Sequence, residues 1–317
     1  MIIIFILIMN NSNKIIFLII IFIIILIIIY YEKNFLNLFK VCLCTIGKKE
    51  NLYIREYIDH YKNYGIDKIF IYDNNEKNGE RFEDIINDYI NIGFVEIINY
   101  RGLLSAQNKA YKNCYENNYK KYNWFIFFDL DEFIYLKNFK NIKYFLKRKK
   151  FNKCQRIQLN FLFHTDNNFL YYENRSIKER FPIREKKARG KKKAGYSVIK
   201  SIVKGNLTIP YIDNPHTINN ELLSCDGFGR IKIVENITTN TSDFEYYYII
   251  HYFSKSTEEF IKKIMRGSAF HGFDIKKKIA RIREYFSIND ITLEKINFIE
   301  NITKINCSIY RTKILNP

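Results

Sequence analysis

The sequence predicts an α/β domain built on a parallel sheet, preceded by one N-terminal transmembrane helix. Three observations carry that prediction. "IIFLIIIFIIILIIIYY", Ile15 to Tyr31, is unbroken apolar sequence at the short end of what spans a bilayer. From Lys40 onward, short apolar runs alternate with stretches whose apolar residues recur at helical spacing. Two of those runs end on aspartate, Asp73 and Asp129, at the strand ends where a parallel sheet takes its ligand.

The anchor comes first. Residues 1–14 hold a shorter apolar patch, "MIIIFILIM", and the polar linker "NNSNK", and the span follows at 15–31. A cleaved signal peptide would show a shorter apolar core and small residues at a cut site, and neither is visible. The expectation is an uncleaved, single-pass, type II-like anchor with Tyr30 and Tyr31 at the interface. It would sit in an endomembrane such as the Golgi, or in a host membrane. Its orientation is left open by opposing signals. Lys33, Lys40, Lys48 and Lys49 outnumber Lys14 and favour a cytosolic main domain. Glycosylation sequons at Asn174, Asn206, Asn236, Asn240, Asn301 and Asn306 favour a lumen.

The elements then run in order. Val41 to Ile46 reads as a buried strand, followed by a helix with Ile54, Tyr57, Ile58 and Tyr61 on one face, ending at Gly65. Lys68 to Asp73 is a second strand, closed by the turn-forming "DNNEKNG". A helix from Arg81 to Ile92, a strand from Phe94 to Tyr100, a helix from Ser105 to Asn118 and a strand from Trp124 to Phe128 complete the series. Strands alternating with helices imply a parallel sheet. The folded domain is assigned to 40–270, and 271–317, including "KKKIARIREYF", to a C-terminal helical extension.

Composition narrows the function. With 17% aromatic residues the chain is a folded protein rather than a disordered one. The net charge of +18 admits nucleic acid, an anionic membrane face or a polyanionic substrate as partners. Much of it lies in "REKKARGKKKAG", Arg184 to Gly195, which reads as a solvated basic loop. The basic residues are not interleaved with an aromatic RNA motif and nothing matches a helix-turn-helix, so no nucleic acid is expected. None of the six cysteines forms a CxxC pair, which argues against a zinc knuckle. Cys42 and Cys44 alternate on one strand, a poor geometry for bridging to each other, and the spacing dictates no disulfide framework.

The chemistry is concentrated in "NWFIFFDLDEFIY", Asn123 to Tyr135, where an apolar run meets Asp129, Asp131 and Glu132. Ionised carboxylates at the end of a buried strand call for a cation. In extended backbone Asp129 and Asp131 point the same way, and Glu132 to the opposite face, in a structural role or one supporting the metal's ligands from behind. Hard oxygen ligands converging in a crevice suit Mn²⁺ or Mg²⁺ with room for substrate phosphates. A phosphatase would place D-x-D on its first strand, whereas here three strands precede it. Glycosyl transfer from a nucleotide sugar wants a nucleotide-binding half before D-x-D, which is the order found.

"KKENLYIREYIDHYKNYGIDKIFIYDNN", "QNKAYKNC", "FFDLDEFIY", "KSIVKG" and "HYFSKSTEEFIKKIMRG" follow one another between Val41 and Gly267. In that order they resemble glycosyltransferase family 92, the DUF23 group, and its family 2-like relatives. The chain departs from the family's usual pattern at Lys49, where "KE" replaces "NE", and in "DNNEKNGE", which lacks the common Ser. The resemblance implies a GT-A fold and an inverting hexosyltransferase that moves a sugar, galactose by family precedent, from a UDP-sugar to a glycan or glycoconjugate acceptor.

It also implies roles. Thr45, Glu50, Asp73 and Gln107 would line the nucleotide pocket, Asp73 meeting uridine or forming an Asx turn. Asp131 would contact the metal directly, and Asp129 would hold the ribose, the metal or its water. His251, ending "YYYII", is the candidate for a third metal ligand. Ser256 and Glu259 form a capping box, so a helix N-terminus beside Lys255 would make an anion site for the diphosphate. Asp226 and Glu221 are candidate bases, and His216 would lie near the acceptor. The rival readings are a D-x-D phosphatase or nuclease, whose Asp129→Asn and Asp131→Asn variants would still bind nucleotide sugar, and a basic membrane-tethered nucleic-acid binder.

Overall fold

The computed structural model describes residues 11–185, 198–209, 211, 212, 214–232, 244–267 and 274–315. Most of the basic stretch, the sequons at Asn236 and Asn240 and the first apolar patch lie outside the described residues. The chain separates after Lys40 into two units. The first contains helix α1 (Asn11–Leu38), which outruns the expected span and is, by length and composition, apolar enough to cross a membrane.

The second unit, Val41–Pro317, begins with the expected alternation. β1 (Val41–Gly47) leads to α2 (Ile54–Asn63), β2 (Lys68–Asp73) to α3 (Glu83–Asn91), β3 (Val95–Asn99) to α4 (Gln107–Asn118), and then to β4 (Trp124–Phe127). β1 is buried at every position because it lies inside the sheet with both faces covered, and its sequence is correspondingly apolar. The predicted stripe of α2, Ile54, Tyr57, Ile58 and Tyr61, is its buried face. These four strands are parallel, in the order β3-β2-β1-β4. The chain builds outward from β1 to β3 and then returns to the other side of β1 for β4. Strand order therefore reverses between β1 and β4, and a crevice opens at their carboxyl ends.

The sheet continues beyond β4 with mixed direction. β5 (Glu132–Leu136), α5 (Ile142–Leu146), β6 (Arg156–Phe163), α6 (Ile177–Arg180) and β7 (Ile199–Lys204) are followed by the short β8 (Ser224–Cys225) and β9 (Ile231–Lys232), then β10 (Tyr247–His251). Their order after β4 is β7-β6-β10-β5, with β8 and β9 attached beside β6. β10 runs antiparallel to β5 in a register that sets His251 opposite Glu132. That pairing carries a residue from late in the chain to the carboxylate turn.

One side of the parallel half packs Cys42, Cys44, Phe125 and Phe127 against Ala110, Tyr111, Cys114 and Tyr115 of α4. A disulfide joins Cys44 to Cys114 across this interface, and a second joins Cys154 to Cys225. Cys42 and Cys307 are buried thiols. Helices α7 (Thr257–Arg266), α8 (Ile275–Ile288), α9 (Leu293–Thr303) and α10 (Ser308–Leu315) complete the unit. Tyr285 of α8 stacks on Phe260 of α7 at 4.4 Å between ring centroids, and its hydroxyl meets Thr257 Oγ1 at 2.7 Å. The expected C-terminal extension thus packs into the same compact unit as the sheet.

Candidate active site

A cleft of about 540 Å³ opens at the reversal, lined by Gly47 at the end of β1, by Lys48 and Glu50 after it, and by Gln107 and residues 129–132 around the end of β4. A Cβ on Gly47 would stand 2.2 Å from Leu130 Cδ1, so a side chain there would displace Leu130. Without a side chain on Gly47, Leu130 tucks against the end of β1 and pins the D-L-D turn over the cleft.

The D-L-D segment is a turn rather than extended backbone, closed by the Glu132 amide donating to the Asp129 carbonyl at 3.0 Å. Asp129 is held on both oxygens. Oδ1 accepts from Gln107 Nε2 at 2.7 Å and from the Tyr111 hydroxyl at 3.0 Å, and Oδ2 accepts from Lys200 Nζ at 2.7 Å. Burial alone would raise its pKa, but Lys200 outweighs that and holds the carboxyl below its ordinary value. Asp131 Oδ2 meets Lys263 Nζ at 2.5 Å and lies 3.5 Å from His251 Nε2. Against the opposing effect of burial, Lys263 and His251 hold this carboxyl well below its usual range.

Glu132 does not leave the cluster as strict alternation would have it. The turn brings its Oε2 to the Asp129 amide at 3.0 Å and to Lys200 at 3.4 Å. It is fully buried, and desolvation keeps it well above the usual carboxylate range despite Lys200. The cations that the sequence demanded are thus supplied first by lysines of the chain itself.

Of the sequence candidates, Glu50, Gln107, Asp129, Asp131, His216 and His251 line the cleft. Others do not. Thr45 is buried inside β1 and is not part of the cleft wall. Asp73 is sealed at the end of β2, where Oδ1 accepts from the Asn75 amide at 2.9 Å in an Asx turn and Oδ2 from Arg101 at 2.6 Å. Asp226 is likewise consumed by its own loop, accepting from the amides of Phe228 and Arg230 and from Arg230 Nε at 2.7 Å. Glu221 accepts from the Tyr211 hydroxyl at 3.1 Å, also outside the cleft.

The expected anion site at Lys255 is corrected by its hydrogen bonds. The capping box forms, with Ser256 Oγ accepting from the Glu259 amide at 3.3 Å. The amides of Thr257 and Glu258 donate to the carbonyls of Phe169 and Leu170, so the first turn of α7 has no donor left for an anion. Lys255 itself binds Glu50 Oε2 at 2.7 Å and lies over the Tyr53 ring. Glu50 also takes Arg266, at 2.5 Å, and these two cations overcome burial to keep it below its ordinary pKa.

His251 is a candidate ligand that lies beside Asp131. Its Nδ1 is buried without a partner, and its Nε2 faces Asp131 Oδ2. Among the described residues no three His, Cys, Asp or Glu side chains gather into a closed cage for a metal. Asp131 and His251 supply two potential ligands, and an ion held there would need the rest of its shell from outside the chain.

Lys200, Lys263 and Glu284 were not singled out from sequence. The first had a signal, since a lysine inside the apolar run "VIKSIVK" needs a buried carboxylate. Glu284, on α8, lines the cleft beside Arg281, which donates to it at 2.7 Å.

Residues 38–294 match the profile of glycosyltransferase family 92. The chain belongs to that family. Family 92 proteins of Ricinus communis and Arabidopsis thaliana are 27% identical over 99 residues and 29% identical over 98. These alignments cover 31% and 30% of this chain but only 17% and 16% of the plant proteins. Among solved structures, S. aureus TarS 1–349 in complex with UDP-GlcNAc aligns at 12% identity with a TM-score of 0.39, over 83% of this chain and 79% of that one.

Proposed function

We propose that this family 92 protein is a membrane-anchored, inverting glycosyltransferase that moves a hexose, galactose in the first instance, from a UDP-sugar to a hydroxyl of a glycan or glycoconjugate. The observation that carries this reading is the pairing of Asp131 with His251 beside Asp129 at the reversal of strand order. Asp131 and His251 are the residues to hold Mn²⁺ or Mg²⁺, whose chemistry when bound is to neutralise the departing diphosphate. Asp129, fixed by Gln107, Tyr111 and Lys200, faces the donor ribose or the ion's water. Glu284 replaces Asp226 and Glu221 as the carboxylate to take the acceptor proton. The two disulfides favour an oxidising lumen for the domain, which fits an endomembrane anchor.

The test uses the full chain in detergent with a panel of UDP- and GDP-sugars, with and without Mn²⁺. Turnover of a UDP-sugar that depends on the ion and is lost in Asp131→Ala supports the reading. Glu284→Gln should lose transfer and keep donor binding. If no nucleotide sugar is bound or turned over, and Asp131→Ala changes nothing, the reading fails.

A further inference from the structure

We propose that Lys263 neutralises Asp131 in the donor-free protein and moves to the donor's diphosphate on binding, which makes ion and donor binding interdependent. The inference rests on the functional reading above. Its starting point is one oxygen. Asp131 Oδ2, the atom that faces His251 Nε2 at 3.5 Å, is also the atom that Lys263 Nζ contacts at 2.5 Å. An ammonium and a divalent cation repel each other at such range. Loading the Asp131–His251 pair therefore requires Lys263 to leave.

Lys263 is held in a way that lets it leave. Lys200 and Lys255 are 1% and 6% exposed, each locked beneath the surface on its carboxylates. The side chain of Lys263 is 26% exposed and lines the cleft from α7. Its other contacts are a long 3.4 Å approach to the Phe253 carbonyl and the face of the Phe253 ring. Four flexible carbons let the ammonium swing into the cleft without any movement of the helix. Arg266, one turn on, cannot substitute for it, because Glu50 and the carbonyls of Lys48 and Lys49 occupy its guanidinium.

Charge gives the direction of the coupling. With Lys263 on Asp131 the pair is balanced, so a divalent ion arriving alone adds uncompensated positive charge to a partly buried site. A nucleoside diphosphate brings the negative charge that accommodates both the ion and the displaced ammonium. Each ligand should therefore bind better in the presence of the other, and by the same factor.

The experiment titrates Mn²⁺ into the detergent-solubilised full chain, reading free Mn²⁺ by electron paramagnetic resonance with and without UDP. In the native protein UDP should tighten Mn²⁺ binding. In Lys263→Met, Mn²⁺ alone should bind about tenfold more tightly, and the enhancement by UDP should shrink by a similar factor. Lys263→Arg, which keeps the charge, should behave as the native protein, and thermal melts of both variants report whether they are folded. Unchanged or weaker Mn²⁺ binding by folded Lys263→Met, beside intact binding by the native chain, overturns this inference alone. The same holds if Lys263→Arg reproduces the effect of Lys263→Met. No Mn²⁺ binding by the native chain even with UDP overturns the functional reading and this inference with it.

Discussion

Asp73 and Asp129 stand at matching places, each at the carboxyl end of a parallel strand that flanks β1. Both follow an apolar run, and both carry an ion pair. Asp73 is 1% exposed, capped by Arg101 and folded into an Asx turn, with no access to the cleft. Asp129 is 33% exposed at the edge of the cleft, and its partners Lys200, Gln107 and Tyr111 orient the carboxylate without covering it. The difference comes from topology rather than from local sequence. Strand order reverses between β1 and β4, so the crevice opens beside Asp129, while β2 simply continues the series toward β3. In this chain a strand-end aspartate reaches the cleft only where the connections part.

The largest test of this contrast lies beneath Asp129. Lys200→Met should strand Asp129 and Glu132 without their shared cation, costing about 3–5 kcal/mol of stability in a denaturant titration. A loss well under 1 kcal/mol would mean that the cluster is not held by that lysine.

Acid comes next. Burial, with Lys178, lowers the pKa of His60 from 6.5 to about 3, and burial, with Lys200, lowers that of His216 to about 4. The unfolded chain takes up protons below 6.5 that the folded chain refuses, so this stability is complete above 6.5 and is lost as pH falls, levelling off below about 3. Folding free energy measured from pH 7 down to pH 5.5 should drop by roughly 2.5 kcal/mol, and by about half as much in His60→Gln. A flat profile would place both imidazoles in wetter surroundings.

The smallest effect belongs to the other aspartate. Asp73→Asn should lose about 1–3 kcal/mol of stability through Arg101 and leave donor affinity within a few-fold of the native chain.

Sequence reading reached those features whose physics is local. The α2 stripe, the strand ends at Asp73 and near Asp129, and the Ser256–Glu259 capping box each need only a few consecutive residues. The ion pairs were another matter, since Lys200 lies 71 residues from Asp129 and Lys263 lies 132 from Asp131. Disulfide partners 70 and 71 residues apart were equally out of reach. The direction of Glu132, though not its supporting role, was misread because alternation assumes extended backbone, and the chain turns at Leu130 to pack against Gly47. Asp226 was a candidate base by sequence, but its loop closes on its own carboxylate. In each case the deciding contact came from a strand order or a turn that local periodicity does not encode.

Calorimetric binding of UDP in the presence of Mn²⁺ to the native chain, Asp131→Asn and Asp73→Asn compares the two strand ends directly. Binding that is abolished in Asp131→Asn and retained in Asp73→Asn is the expected result and locates the donor at the β1–β4 reversal. Binding that survives in Asp131→Asn and disappears in a folded Asp73→Asn would contradict it and put the nucleotide at the end of β2.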